Sequence, residues 1–177
     1  MPEKNKKMAY LFAAIVCALF LYILLHETGH LIVMLSVGAT ITEFSILTAH
    51  VSAVGGNYNN LADLWLHVNG VFLPVLVAFV YILLYKREKE NSFYHLFSYV
   101  FAIAPTMSLL AWVFGPIMYM MGRASAGDDV TRFLDNFSRN HHSLIVSAVA
   151  VLLIGVNVTM IIKKGLVKNV VFIMKEW

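Results

Sequence analysis

Four long apolar segments, separated by short polar connections, dominate the pattern of the chain. They cover about residues 8–37, 61–85, 93–121 and 143–162. Each reaches the roughly 20 apolar residues that an α-helix needs to cross the hydrocarbon core of a bilayer. The pattern therefore predicts an all-α polytopic membrane protein with about four transmembrane helices.

The connection between the first two segments has a different period. Over about residues 39–54, β-branched residues are frequent and polar positions alternate with apolar ones. A period of two is typical of a β-strand, and Gly55-Gly56-Asn57 then supplies turn residues. We expect a short membrane-associated β segment packed on protein, because unpaired strand edges are not tolerated in lipid.

The connection between the last two segments predicts one short helix, at about residues 128–139. Ser125 or Gly127 precedes this helix, and Asp128 and Asp129 lie in its first turn. Acidic side chains are favourable there because the helix dipole places partial positive charge at the N-terminus.

Composition agrees with a membrane protein. The chain has 177 residues, of which 60% are hydrophobic and only 13% are charged, whereas a soluble domain carries about 25% charged residues. We therefore expect residues 1–177 to form a single integral domain in the lipid bilayer. Cys17 is the only cysteine, which excludes a disulfide within the chain. No basic run is interleaved with aromatic residues, so no nucleic-acid partner is expected.

The distribution of lysine and arginine predicts the orientation. The N-terminal segment, the 86–92 connection and the residues after Ile162 hold ten of them, whereas the 38–60 and 122–142 connections hold three. Cytoplasmic loops of membrane proteins are enriched in these residues. Both termini of this multi-pass chain are therefore predicted to be cytoplasmic, which places the end of the first segment on the outer side.

Three ionisable residues interrupt the first apolar segment: His26, Glu27 and His30. Such groups are costly in hydrocarbon and usually mark a functional site. Residues four apart share one face of a helix, so the two histidines are candidate ligands of a single Zn²⁺ ion. Glu27 lies beside that ion without being a ligand. There it would act as general base on a metal-activated water, as in zinc proteases with the HExxH pattern.

Two histidines do not complete a catalytic zinc site, which usually has three protein ligands and one open position. His67 and His95 lie in other apolar segments. The adjacent acids Asp128 and Asp129 are the better candidates, because they follow a small residue at a membrane-helix boundary. The alternative is that these acids only favour the N-terminus of the short helix.

The order of several short sequences carries a resemblance. His26-Glu27-Thr28-Gly29-His30 is followed by Gly38 and Phe44-Ser45-Ile46, then by Asn69-Gly70 and finally by Gly127-Asp128-Asp129. In this order the chain resembles the site-2 protease family of intramembrane zinc metalloproteases. The resemblance covers roughly residues 8–160 and is to a minimal form without PDZ or CBS modules.

The resemblance implies a function and a set of site residues. It implies an intramembrane endopeptidase with one Zn²⁺ ion, whose substrate is a transmembrane segment of another membrane protein. The ligands would be His26, His30 and an aspartate, with Asp128 as the first choice and Asp129 as the alternative, and Glu27 would be catalytic. Asn69 would donate a hydrogen bond to the substrate or to the developing oxyanion, or else serve as an interhelical packing amide.

Two other functions are compatible with such a chain. One is a non-proteolytic relative that acts as a membrane chaperone or binding protein, although such a protein has no need of Glu27. The other is a metal transporter, although transporters place polar residues on several broken helices. The remaining histidines are expected to be packing or interface residues: His50, His67, His95, His141 and His142.

Overall fold

The structure is a computed structural model that describes residues 3–137 and 143–175. The elements follow the chain in the order α1 (Glu3–Ser36), β1 (Ala39–Ser45), β2 (His50–Gly55), α2 (Asn60–Leu84), α3 (Ser92–Met120), α4 (Asp129–Phe137), α5 (Ser143–Lys163) and α6 (Leu166–Lys175). Within these ranges, α1, α2, α3 and α5 are long and apolar enough to cross a membrane. The prediction of four long apolar helices with a small β segment is confirmed.

The first helix is longer than its apolar run and ends sharply. It begins at Glu3 because the polar N-terminal residues are themselves good helix formers. It ends at Ser36, and Gly38 then adopts φ +77°, a left-handed conformation that favours glycine. The amide of Gly38 donates to the carbonyl of Leu35 over 3.1 Å, which completes the helix end. The chain can therefore turn directly into the first strand.

The β segment is an antiparallel hairpin. The register pairs Ala39 with Gly55 and Ser45 with His50, with one irregularity between Ile41 and Glu43. Strand β1 packs against α1. Ala39 at the start of this strand is buried, whereas Leu47 at the hairpin tip is 95% exposed. Each strand is paired on one side only, so two strand edges remain open.

Helix α2 crosses α1 at very short distance. A Cβ atom placed on Gly29 would lie 2.1 Å from the carbonyl oxygen of Asn69. A Cβ atom on Gly70 would lie 2.4 Å from Nε2 of His30. Only glycine allows this approach, which brings α2 against the HETGH stretch of α1.

Helix α4 is short and caps one end of the bundle. Its buried residues Val130 and Leu134 join a core cluster contributed by α2, α3 and α5. Glycine at position 115 of α3 admits Val130, since a Cβ atom there would lie 2.7 Å from Cγ1 of Val130. The hydroxyl of Tyr119 also donates to Asp135 over 2.8 Å. The predicted end of this helix, at residues 138–139, lies outside the described residues.

Candidate metal centre

Two imidazoles of α1 face each other across one helical turn. Nε2 of His26 and Nε2 of His30 are 3.1 Å apart. The side chain of His30 is 11% exposed and that of His26 is 24% exposed. The spacing of four residues puts both rings on the face of α1 that meets α2 and α4, as expected from the sequence.

The carboxylate that meets these rings belongs to Asp129. Its Oδ2 lies 3.4 Å from Nε2 of His26 and 3.3 Å from Nε2 of His30. Asp128, the first choice from the sequence, is placed elsewhere, because its Oδ1 accepts the backbone N–H of Thr131 over 2.7 Å. It therefore caps α4. The structure brings the alternative, Asp129, and not the first choice, Asp128, to the histidines.

The three donor atoms have the spacing of a zinc site. The distances between them are 3.1, 3.3 and 3.4 Å. In a tetrahedral site with Zn²⁺ bond lengths of about 2.0–2.1 Å, two ligand atoms are about 3.3 Å apart. Two imidazole nitrogens and one carboxylate oxygen are also a usual donor set for catalytic zinc. The residues present therefore fit one zinc ion.

The second nitrogen of each imidazole determines how the ring can act. Nδ1 of His30 lies 2.7 Å from the carbonyl oxygen of Leu66. A carbonyl only accepts, so Nδ1 of His30 carries a proton. Loss of the Nε2 proton would then leave a lone pair on Nε2 for a metal. Nδ1 of His26 is buried and, within the described part of the chain, has no hydrogen-bond partner.

Glu27 is enclosed in the protein beside this cluster. The residue is 4% exposed and follows His26 on α1. It forms no hydrogen bond or ion pair with any described residue. A buried carboxylate without a structural partner is available for proton transfer.

His67 on α2 holds Asp129 from the opposite side. Its Nδ1 lies 3.4 Å from Oδ1 of Asp129, while its Nε2 lies 3.8 Å from Oδ1 of Asp63. His67 is 6% exposed. The sequence assigned this residue to packing and missed its place at the site. The spacing of Asp63 and His67, four residues apart on one helix, was the signal that it belongs to a polar cluster.

Asp129 is surrounded by these three histidines. Burial by itself would raise the pKa of the Asp129 carboxyl, but hydrogen bonds to His26, His30 and His67 hold that pKa well below its usual range. The group is therefore ionised at neutral pH, which is the form that binds a cation.

Asn69 packs the two helices together. Its Nδ2 donates to the carbonyl oxygen of Gly29 over 2.7 Å, in the middle of the HETGH stretch. The geometry therefore agrees with the packing alternative for this amide, because its donor is already engaged with the backbone of α1.

A cavity of about 520 Å³ opens beside the cluster. We call it the site cavity. Its walls come from α1, α2, α3, α4 and the connection before α4, and they include Tyr22, His26, Ser108, Trp112, Arg123 and Asp129. The site cavity reaches two of the three candidate ligands and is large enough to hold several residues of an extended peptide.

Other predicted residues lie away from the cluster. His50 begins β2 on the hairpin and is exposed. His95 lies at the opposite end of the bundle, where its Nδ1 contacts the hydroxyl of Tyr85 over 2.5 Å. His141 and His142 lie outside the described residues.

No protein-family model, curated protein or solved structure matches this chain. The resemblance to the site-2 protease family therefore stays a prediction.

Proposed function

We propose that this protein is a zinc-dependent intramembrane endopeptidase that cleaves a transmembrane segment of another membrane protein. The observation that carries the proposal is the convergence of Nε2 of His26, Nε2 of His30 and Oδ2 of Asp129 at 3.1–3.4 Å. The buried Glu27 is the next residue after His26 on α1. Such a combination of two histidines, a carboxylate and a free glutamate is typical of zinc hydrolases.

Each residue of the cluster has one role in this proposal. His26, His30 and Asp129 hold the zinc ion, and His67 keeps the Asp129 carboxylate directed at the histidines. When bound, the zinc ion supplies a Lewis acid that polarises the scissile carbonyl and acidifies a water molecule. Asn69 keeps α2 against the HETGH stretch through the carbonyl of Gly29.

Glu27 moves the proton in the cleavage step. Its carboxylate takes a proton from the attacking water while the water oxygen bonds to the carbonyl carbon of the substrate. The same carboxyl then gives that proton to the amide nitrogen as the C–N bond breaks. The products are a new carboxyl terminus and a new amino terminus, and Glu27 returns to its initial state.

The substrate has to be extended where it is cut, because a helical peptide bond is shielded by its own hydrogen bonds. The open edges of the β1–β2 hairpin offer main-chain donors and acceptors to such a segment. The hairpin follows directly on the helix that carries HETGH.

The distribution of lysine and arginine supports an orientation of the chain in the membrane. The basic connections lie at the end of the bundle that holds both termini, and the candidate site lies toward the other end. By the positive-inside rule we infer that both termini are cytoplasmic.

Replacement of Glu27 tests the mechanism. The Glu27→Gln variant keeps the size and a hydrogen-bonding group but cannot take a proton, so cleavage of a transmembrane substrate in proteoliposomes should fall at least about 100-fold, the lower range for general-base loss. Zinc content, measured by elemental analysis after purification without chelator, should stay near one ion per chain. The matched control is Glu88→Gln, an exposed glutamate at the opposite end, which should cleave like the wild type.

Equal cleavage by the wild type and Glu27→Gln would overturn the mechanism. Zinc binding with no cleavage by either protein, across a panel of transmembrane substrates, would favour the non-proteolytic alternative. Protein that purifies without zinc and does not take it up on titration would overturn the site itself.

A further inference from the structure

The end of the bundle opposite the candidate site is strongly basic. Two stretches meet there, the connection from α2 to α3 and the chain from the end of α5 through α6. We call the following set the basic end: Lys86, Arg87, Lys89, Lys163, Lys164, Lys168 and Lys175. None of these forms an ion pair with a described carboxylate, although Glu88 and Glu90 lie in the same connection.

Helix α6 is held against this connection by an amide. Nδ2 of Asn169 donates to the hydroxyl of Tyr85 over 2.8 Å and to the carbonyl of Arg87 over 3.0 Å. Nζ of Lys164 donates to the carbonyl of Leu83 over 2.7 Å. Leu166 is also fully buried. The two basic stretches are therefore one continuous surface in the folded protein.

The outward side of α6 combines apolar and basic residues. Val167, Val171 and Met174 are exposed at spacings of four and three, so they form one apolar stripe. Phe172 is 63% exposed and lies on the neighbouring stripe, between Lys168 and Lys175. Exposed apolar residues bordered by lysines are typical of helices that lie in a membrane interface.

The position of α6 agrees with that location. Only residues 164 and 165 separate it from α5, a helix long and apolar enough to span the bilayer. Gly165 makes the turn possible, because its φ is +78°. A helix that starts at the end of a membrane span lies at the level of the lipid headgroups.

We propose that the basic end binds the headgroups of anionic phospholipids, with α6 embedded in the interface of that leaflet. Within the described residues, the seven basic side chains have no carboxylate partner. Phosphate groups of anionic lipids would supply the complementary charge. Val167, Val171, Phe172 and Met174 enter the acyl-chain boundary. The proposal does not depend on the protease function, because it involves neither the metal ligands nor Glu27.

Lipid binding to the purified full-length protein tests whether the basic side chains bind anionic headgroups. Native mass spectrometry would compare retention of phosphatidylglycerol and phosphatidylcholine by the wild type and by Lys86→Gln/Arg87→Gln/Lys168→Gln. Each removed charge near an anionic surface should lower the preference about fivefold, so the triple variant should lose most of it. The substitutions leave the hydrogen bonds of the Asn169 side chain intact, because its acceptors are the hydroxyl of Tyr85 and the backbone carbonyl of residue 87. The control Arg123→Gln/Arg132→Gln removes bases from the other end and should keep the preference.

A spin label tests the placement of α6 in otherwise native protein. A nitroxide at Phe172→Cys, in a Cys17→Ser background, would be measured by power saturation in nanodiscs that contain phosphatidylglycerol. The label should be more accessible to oxygen than to an aqueous nickel complex. A label at Glu88→Cys, in the exposed connection, should show the reverse.

Two outcomes would overturn the proposal. One is equal retention of both lipids by the wild type, or an unchanged preference in the triple variant. The other is a label at position 172 that is as accessible to the nickel complex as the label at position 88. The second measurement stands even if the triple variant does not fold.

Discussion

At the scale of single residues, the candidate site depends on which of two adjacent carboxylates turns inward. Asp128 accepts the N–H of Thr131 and closes the first turn of α4. Asp129 is the next residue, and consecutive residues of a helix point about 100° apart. The cap at position 128 therefore directs position 129 toward the two histidines of α1, 3.3–3.4 Å away.

Paired substitutions separate the roles of the two acids. Asp129→Asn removes the anionic ligand, so zinc affinity measured by competition with a chelator should fall at least about 100-fold, the upper range for residues that only support a ligand. Asp128→Asn should leave zinc affinity and thermal stability nearly unchanged, because asparagine caps a helix as well as aspartate does. A larger loss of zinc from Asp128→Asn than from Asp129→Asn would reverse the assignment.

In the proposed zinc site, His67 would act through Asp129 and not as a ligand. Its Nδ1 meets Oδ1 of Asp129, and Oδ2 is the oxygen that faces the histidines of α1. Groups that hold a metal ligand in this way fix its orientation and are worth about 10–100-fold in metal affinity.

Substitution of His67 should therefore lower zinc affinity about 10–100-fold when the donor is lost, as in His67→Leu. His67→Asn should retain more of the affinity, because its amide nitrogen occupies nearly the place of Nδ1. His95→Leu is the matched control, since it removes another buried histidine from the opposite end and should lower thermal stability alone. Equal zinc affinity in His67→Leu and the wild type would contradict this role.

At the scale of elements, the close crossing of α1 and α2 assembles the site. Gly29 and Gly70 leave no space for a Cβ atom, and Asn69 donates to the carbonyl of Gly29 across the crossing. The same crossing brings the carbonyl of Leu66 to Nδ1 of His30. Small residues at helix contacts are a general means of close packing in membranes.

Alanine at position 29 should disrupt the crossing. Its Cβ atom would meet the Asn69 carbonyl at 2.1 Å, and overpacking of this kind costs about 1–3 kcal/mol or more. Thermal unfolding in detergent should show a clear loss of stability for Gly29→Ala, with a loss of zinc. The control is Gly155→Ala on α5, where nothing lies within 4 Å of the added atom. Similar stability of both variants would refute the packing role.

At the scale of the whole molecule, the basic end and the candidate site lie at opposite ends of the bundle. The candidate site lies toward the end that carries the hairpin and α4, where the described acids outnumber the bases. His26 lies ten residues before the end of α1 at Ser36, which places it about 15 Å below that end. The site cavity connects this depth with the connection before α4. The basic end and α6 lie at the other end of the bundle.

The sequence by itself determined the long apolar helices, a short β segment and the pair His26 and His30 with Glu27. These features are local, because they follow from a period of two or 3.6 residues and from a spacing of four along one helix. Their formation does not depend on contacts with distant parts of the chain.

Only the tertiary structure decided which carboxylate joins the histidines and that His67 supports it. Both depend on how α4 docks through Val130 onto Gly115 of α3, and on the contact between His67 and Asp129 across 62 positions of sequence. Two adjacent aspartates are equivalent in a sequence pattern. They differ in the fold because capping α4 occupies one and packing of that helix turns the other toward α1.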